Sequence, residues 1–373
     1  MYDYDVVALG ELLIDFTPAG ISENGNPIYE MNPGGAPANV LVAVARLGGR
    51  CAFIGKVGSD HFGHFLKQTL DNNNVDTQGL KYTGQTNTTL AFVHLDERGE
   101  RSFTFLRNPG ADTLLEEHEI ETGIIDRGKI FHFGSLSMTH QPAERATLTA
   151  VEHAKQGGRV ISYDPNWRPS LWKDVDTAKQ KMMLGLRYAD VVKVSEEELE
   201  LLTGEPDIER ASQIVFDMGV KLILVTLGDK GCYYKHSSGQ GHVPAYHVKV
   251  VDTTGAGDAF LGGVLYNISK WNCPLEKMDC HLLEDIIRFA NATAALCITK
   301  RGGIPAMPSI DEVEELLKKN KGLGGGRITG IELILPVICR VLSHKDGREK
   351  AGEGWPFKIG AMVLQPFIFK CLP

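Results

Sequence analysis

Short runs of β-branched and apolar residues alternate with longer stretches whose apolar positions recur at helical spacing, and the alternation continues through most of the chain. The runs "DVVALG" (5–10), "CAFIGKVG" (51–58), "KIFHFGS" (129–135), "RVISYDP" (159–165), "DVVKVS" (190–195), "KLILVTLG" (221–228) and "YHVKVVD" (246–252) predict strands. Between them, "APANVLVAVARLG" (36–48), "QPAERATLTAVEHAKQGG" (141–158) and "AFLGGVLYNISKW" (259–271) predict helices. Such alternation predicts an α/β fold: a mostly parallel central sheet with helices on both faces.

Two segments depart from the pattern. "LAFVHL" (90–95) and "RSFTFLR" (101–107) flank the polar turn "DERGE", a hairpin signal, and "IYEMNPGG" (28–35) offers another short strand. We expect a small antiparallel sheet, drawn from about 11–35 and 86–112, that covers a cleft as a lid and pairs with a second copy in a homodimer. After residue 320 the texture changes: "KGLGGGR" has linker composition, and little periodicity follows. The expected division is a domain over 1–320 and an atypical C-terminal appendage over 321–373.

Composition narrows the partners. The net charge is −8, from 47 acidic and 39 basic residues, with no basic block, so a nucleic-acid partner is not expected. The N-terminus has no secretory pattern, and "IELILPVICRVL" is too short and too interrupted to span a bilayer. Seven cysteines without a CxxC pair fit reduced thiols in a cytoplasmic enzyme. His61 and His64 form an HxxH pair with no third ligand nearby in sequence, so no metal site is read there.

Ligands of open α/β sheets gather outside the carboxyl ends of the strands. Those ends are polar and glycine-rich here: Glu11 and Asp15, "GGAPAN" (34–39), "DPNWR" (164–168), "SEEE" (195–198), "TLGDKG" (226–231) and "DTTGAGD" (252–258). Gly34 and Gly35 permit close backbone approach, Asn39 sits on the first turns of a helix, and Asp15 could accept hydrogen bonds from ligand hydroxyls, though a turn role is open for each. Thr226, Gly228 and Gly231 suit either a turn against a flat or phosphorylated ligand or a plain β-turn. Ser195 to Glu198 begins a helix; capping is one role, and holding Mg²⁺ through water is another for Glu198. Arg168, stiffened by prolines and tryptophans, suits a phosphate or a carboxylate, or a nearby acid.

Gly255, Ala256 and Gly257 lie where N–H groups point at a helix start, a cradle for phosphate. Phosphoryl transfer needs positioning, charge stabilisation and one carboxylate to take the attacking hydroxyl's proton, and Asp258 is placed to be that base. "GIIDRGKI" (123–130) has the glycine-lysine spacing of a P-loop, but Ile130 stands where a Mg²⁺-binding hydroxyl belongs. No G-x-G-x-x-G follows the first strand, which disfavours a nicotinamide dehydrogenase.

With "GGAPANVLVAVARLGG" near the start and "DTTGAGDAF" near the end, residues 4–319 resemble the ribokinase-like, or PfkB, carbohydrate kinases. The resemblance implies a three-layer α/β fold with a β lid, ATP and Mg²⁺ as cosubstrates, and phosphorylation of a sugar hydroxyl. It makes Asp258 the base and Gly255 to Gly257 the anion hole, and it gives Asp15, Gly34, Gly35, Asn39 and Asn166 to the sugar. Lys193, Ser195, Glu198, Thr226, Gly228, Gly231 and Asn291 fall to the nucleotide side, and Asp252 and Thr254 match ligands of a monovalent cation such as K⁺. Serine at 195 departs from the family's Asn-x-x-Glu element. "GELLIDFTP", "NPGGAPAN", "FLRNPGAD" and "SYDPNWRPSLW" are most similar to fructokinases, with Arg107 and Arg168 bordering the sugar or the transferred phosphate and fructose 6-phosphate as product. A 2-keto-3-deoxygluconate kinase is the alternative within the family, a nucleoside kinase of the same fold a third, and a non-catalytic sugar- or nucleotide-binding regulator an alternative of another class.

Overall fold

Strand β1 (Tyr4–Leu9) is buried along its whole length, with Val6 and Ala8 packed into one core and Val7 and Leu9 into another. That division follows from the two-residue period of a strand and requires cover on both faces. The computed structural model describes residues 2–95 and 101–320. The turn expected at "DERGE" and the appendage expected over 321–373 lie outside the described residues.

In chain order the remaining strands are β2 (Leu13–Ile21), β3 (Pro27–Gly34), β4 (Cys51–Gly58), β5 (Val75–Thr83), β6 (Leu90–Leu95), β7 (Arg101–Leu106), β8 (Gly128–Gly134), β9 (Val160–Asp164), β10 (Val191–Ser195), β11 (Leu222–Thr226), β12 (Cys232–His236) and β13 (Gly239–Val243). They form a large sheet ordered β13-β12-β11-β10-β9-β8-β1-β4-β5 and a small one ordered β3-β2-β6-β7. The large sheet is parallel from β5 to β11 and ends in the antiparallel pairs β11–β12 and β12–β13. The order reverses at β1, which pairs with β8 on one side and β4 on the other, and such a switch opens a crevice at the strand ends.

Helices cover both faces. On the face of Val6 and Ala8 lie helices Ala36–Arg46, Ala256–Lys270 and Cys280–Cys297; on the face of Val7 and Leu9 lie Ala143–Gln156 and Val175–Leu186. Helix Ala36–Arg46 is buried from Pro37 to Val44, so it is apolar nearly all round, as a helix between layers must be. Asn39 is its polar exception. Beside it, helix Ala256–Lys270 crosses so closely that a Cβ on Gly262 would come 2.5 Å from the Ala43 Cβ. This crossing fixes the ends of the two helices opposite one another.

The small sheet is as expected from "IYEMNPGG" and the "LAFVHL" and "RSFTFLR" pair, although β2 pairs with β6 in parallel. Two expectations are corrected. Residues 246–252 are not a strand: from β13 at the sheet edge the chain must return to a helix over the sheet centre, so it crosses strand ends and leaves Val250 and Val251 more than half exposed. The helix expected from 259 begins at Ala256, which places Asp258 inside its first turn.

Candidate active site

One cleft, of about 410 Å³, opens at the carboxyl ends of the central strands and gathers Glu11, Asp15, Gly35, Asn39, Asn166, Arg168, Lys193, Ser195, Glu198 and residues 253–258. Its centre is the N-terminus of helix Ala256–Lys270. Gly255 caps that helix with φ 77°, a left-handed conformation that a side chain would strain, and a Cβ there would lie 3.1 Å from Gly303 Cα. Ala256 N–H turns back to Thr253 O at 3.3 Å and Ala259 N–H donates to Gly255 O at 2.8 Å, while the Gly257 and Asp258 amides between them come too early in the helix for an intrahelical partner. The positive end of the helix dipole therefore faces the cleft.

Asp258 stands in that first turn, 9 % exposed, and its Oδ2 accepts a hydrogen bond from Asn39 Nδ2 at 2.7 Å. Its Oδ1 accepts none among the described residues and faces the cleft. Burial pushes the Asp258 carboxyl up to about 6, with Lys193 pulling it down and Asp164 adding to the rise. A pKa near working pH is what a general base needs. Asp15 enters from β2 with Gly34 packed against its carboxylate; burial raises it to about 7, eased by Arg168 and worsened by Asp258 and Asp252. Gly35, with φ 113°, brings the backbone against Glu11 O, and Glu11 Oε1 accepts the Ala36 N–H at the start of helix Ala36–Arg46.

The opposite wall comes from β9 and β10. Asn166 has φ 49° and donates its N–H to Asp164 Oδ1 at 3.1 Å, a turn that presents Asn166, Trp167 and Arg168 to the cleft. The Arg168 guanidinium lies 5.9 Å from the Phe103 ring of the small sheet, so that sheet reaches across the cleft mouth. Lys193 pairs with Asp164 at 2.6 Å. Burial opposes its charge, but Asp164, Glu198 and Asp258 outweigh that cost and raise its pKa, keeping the ammonium. Ser195 and Glu198 form a reciprocal capping box, and Glu198 also accepts the Trp167 N–H at 2.7 Å.

Other sequence candidates sit apart from this cleft. Arg107 does not border it: its guanidinium is 2 % exposed and bound to Asp112, Thr139 and the Leu136 carbonyl, tying the small sheet to the main body. Thr226, Gly228, Gly231 and Asn291 belong to a neighbouring group beyond β11, where Asn291 donates to the Val243 and Pro244 carbonyls and Gly231 packs against the same segment. Asp252 lies behind the 253–258 turn, accepting from Thr254 N at 2.9 Å and Gly302 N at 3.0 Å. His61 and His64 start helix His61–Asn72, His64 packs on Tyr82, and no group of three metal-binding side chains stands together among the described residues. Lys129 of the P-loop-like segment caps the far end of helix Ala256–Lys270 through Ser269 O.

Some cleft residues were not anticipated. Phe103 and Phe105 line the cleft from β7, stacked 5.9 Å apart. Their i, i+2 spacing in "RSFTF" was the available signal for a shared face. Leu13, Leu136 and Trp167 add to the apolar lining; Trp167 lies within "DPNWR", whereas Leu13 and Leu136 carried no signal of their own.

The chain has counterparts among known proteins. Residues 3–310 match the model of the pfkB family carbohydrate kinases. Fructokinase-1 of Oryza sativa subsp. japonica is 47% identical over 318 residues, covering 84% of this chain and 97% of that protein. A crystal structure of a Xylella fastidiosa fructokinase with bound ATP superposes with TM-score 0.79 at 36% identity, covering 85% of this chain and 99% of that one. A Vibrio cholerae fructokinase double mutant, solved with fructose, ADP and potassium, gives TM-score 0.77 at 38% identity over 85% and 99% of the two chains. The chain belongs to the pfkB family of carbohydrate kinases.

Proposed function

We propose that the protein is an ATP-dependent fructokinase that phosphorylates the 6-hydroxyl of D-fructose. The observation that carries this reading is a buried carboxylate, Asp258, held by Asn39 with one oxygen facing the cleft beside unpaired helix-end N–H groups. The similarity to fructokinases over most of the chain supports the choice of sugar.

Each wall then has a task. Asp15, Gly35 and Asn39 hold sugar hydroxyls, with Asn166 and Arg168 opposite and Phe103 and Phe105 covering the ring. Asp258 takes the proton of the attacking hydroxyl, and the 255–257 turn receives the phosphoryl group. Thr226, Gly228, Gly231 and Asn291 border the nucleoside.

The donor set suits a metal reached through water, because both Glu198 oxygens already accept backbone N–H groups and no protein cage of three ligands stands among the described residues. Ser195 and Glu198 would hold Mg²⁺ at its margin, and the ion, when bound, neutralises charge on the phosphate oxygens. A monovalent cation beside Asp252 and Thr254 would offset a buried carboxylate whose charge bears on Asp15.

The small sheet exposes Ile21, Ile28, Tyr29 and Leu106, which we assign to a homodimer contact, to be checked by light scattering. No helix among the described residues is long and apolar enough to cross a membrane, and the reading places the enzyme in the cytoplasm with reduced cysteines. Residues 321–373 are taken as an appendage dispensable for turnover. The deciding assay is purified protein with ATP, Mg²⁺ and a panel of sugars. Fructose is expected to give the highest kcat/KM; better turnover of 2-keto-3-deoxygluconate or a nucleoside would overturn the substrate, and binding without transfer would overturn the enzyme.

A further inference from the structure

Three consecutive residues behind the 253–258 turn, Arg301, Gly302 and Gly303, touch both working sides of the cleft. Arg301 Nη2 donates to the Pro18 carbonyl of β2 at 2.8 Å, and its Nε lies 4.0 Å from the Glu30 carboxylate on β3. Gly302 N–H donates to Asp252 Oδ2 at 3.0 Å, and a Cβ on Gly302 would lie 2.8 Å from Asn32 Oδ1. Gly303 packs against the Asn39 side-chain amide, which a Cβ there would meet at 3.0 Å, and its Cα backs Gly255.

The register of the small sheet brings the sugar side to this segment. Asp15 on β2 stands directly opposite Asn32 on β3, so the two side chains share a face. Asn32 is buried, and its amide donates at 2.8 Å to Thr17 Oγ1, one residue before Pro18. Asp15, Asn32 and Pro18 therefore form one unit, and Arg301 ties it down. On the phosphate side, Asn39 holds Asp258 at 2.7 Å and Gly255 opens the helix end. Gly302 and Gly303 are buried between the two, and Gly302, at φ 82°, takes the left-handed turn that lets the chain pass Asn32. The Arg301 side chain is half exposed, so water can replace it on the Pro18 carbonyl and the fold survives its loss.

We propose that Arg301 is a positioning residue that couples the sugar side of the cleft to its phosphate side through Gly302 and Gly303. The inference rests on the kinase reading above. A sugar held by Asp15 restrains β2 and β3, and the bond from Arg301 to Pro18 carries that restraint to Gly302. Gly303 passes it to Asn39 and Gly255. The base and the 255–257 turn are then ordered when the phosphoryl group arrives, so less of the ordering cost falls on the transfer step. Without the guanidinium each side still binds its own ligand, but neither orders the other.

Hydrogen exchange over residues 299–307, with and without fructose at a concentration that calorimetry shows to saturate, reads the coupling beside steady-state kinetics. The proteins compared are the wild type, Arg301→Met, Arg301→Lys and Glu30→Gln. In the wild type, fructose is expected to slow exchange over 299–307 by about tenfold. Arg301→Met should lose that slowing and about tenfold in kcat, with KM for fructose and for ATP within about threefold. Arg301→Lys, which keeps a donor for the Pro18 carbonyl, should recover part of each loss. Glu30→Gln should match the wild type within about twofold, because a 4.0 Å pair between half-exposed groups contributes little. Slowing by fructose that survives in folded Arg301→Met overturns the proposal, as does an unchanged kcat. A lowered melting temperature with both KM values raised would mark a merely structural role and overturn it too. A wild type that binds fructose without phosphorylating it would overturn the kinase reading instead, and the exchange result would still stand.

Discussion

Two helices end at the same cleft with an acid at the same position, three residues past the cap. In helix Glu196–Thr203 the cap is Ser195, and Glu198 turns back to the Ser195 N–H while the serine hydroxyl accepts from Glu198 N. In helix Ala256–Lys270 the cap is Gly255, which has no side chain to give, and Asp258 reaches forward to Asn39. The first end is satisfied by its own residues; the second is left open, with donors and a carboxylate facing outward. What differs is one cap residue and the helix packed opposite, and that difference separates a structural helix start from a reactive one.

The largest break of this contrast is expected from Asp258→Asn. It keeps the size and the Asn39 contact but removes the base, and kcat should fall by about 10³-fold or more with ADP affinity nearly unchanged, measured by coupled assay and calorimetry. Gly255→Ala comes next. A side chain at φ 77° against Gly303 shifts the turn, and turnover should drop about 100-fold with a stability loss of about 1–2 kcal/mol.

Acidification sharpens the contrast without mutation. Asp258 works ionised and has a pKa raised to about 6, so kcat/KM should fall about tenfold per pH unit below that value. An unchanged kcat/KM down to pH 5 would remove Asp258 from the base role. The closed end should respond in the other currency: Glu198→Ala strips acceptors from Ser195 N and Trp167 N and should cost about 2 kcal/mol in urea unfolding. It should also raise the Mg²⁺ concentration needed for half-maximal rate, with far less loss of kcat than Asp258→Asn.

Much of this was legible in the sequence because it is local. "DTTGAGDAF" and "GGAPAN" announce glycine turns that open helices, and β1, β4 and β8 to β11 follow from their apolar runs. What joins residues far apart in sequence was not legible. The bond between Asn39 and Asp258 spans 219 positions and depends on the Gly262–Ala43 crossing. Arg107 is expected from the sequence to border the sugar or the transferred phosphate, yet Asp112, five residues on, neutralises it in a buried pair. Residues 246–252 have strand-like composition, but the sheet edge was already taken by β12 and β13.

The central claim is that the fold keeps Asp258 charged against its own preference in order to use it. Its folded pKa of about 6 lies above the ordinary aspartate value of 3.8, so ionisation weakens the folded state at all pH above that range, and the cost fades as pH falls from 6 toward 3.8. Urea unfolding of Asp258→Asn beside the wild type tests this most directly. The variant should be more stable by about 2 kcal/mol at pH 8, with the gain shrinking below pH 6. Equal or lower stability of the variant at pH 8 would contradict the account.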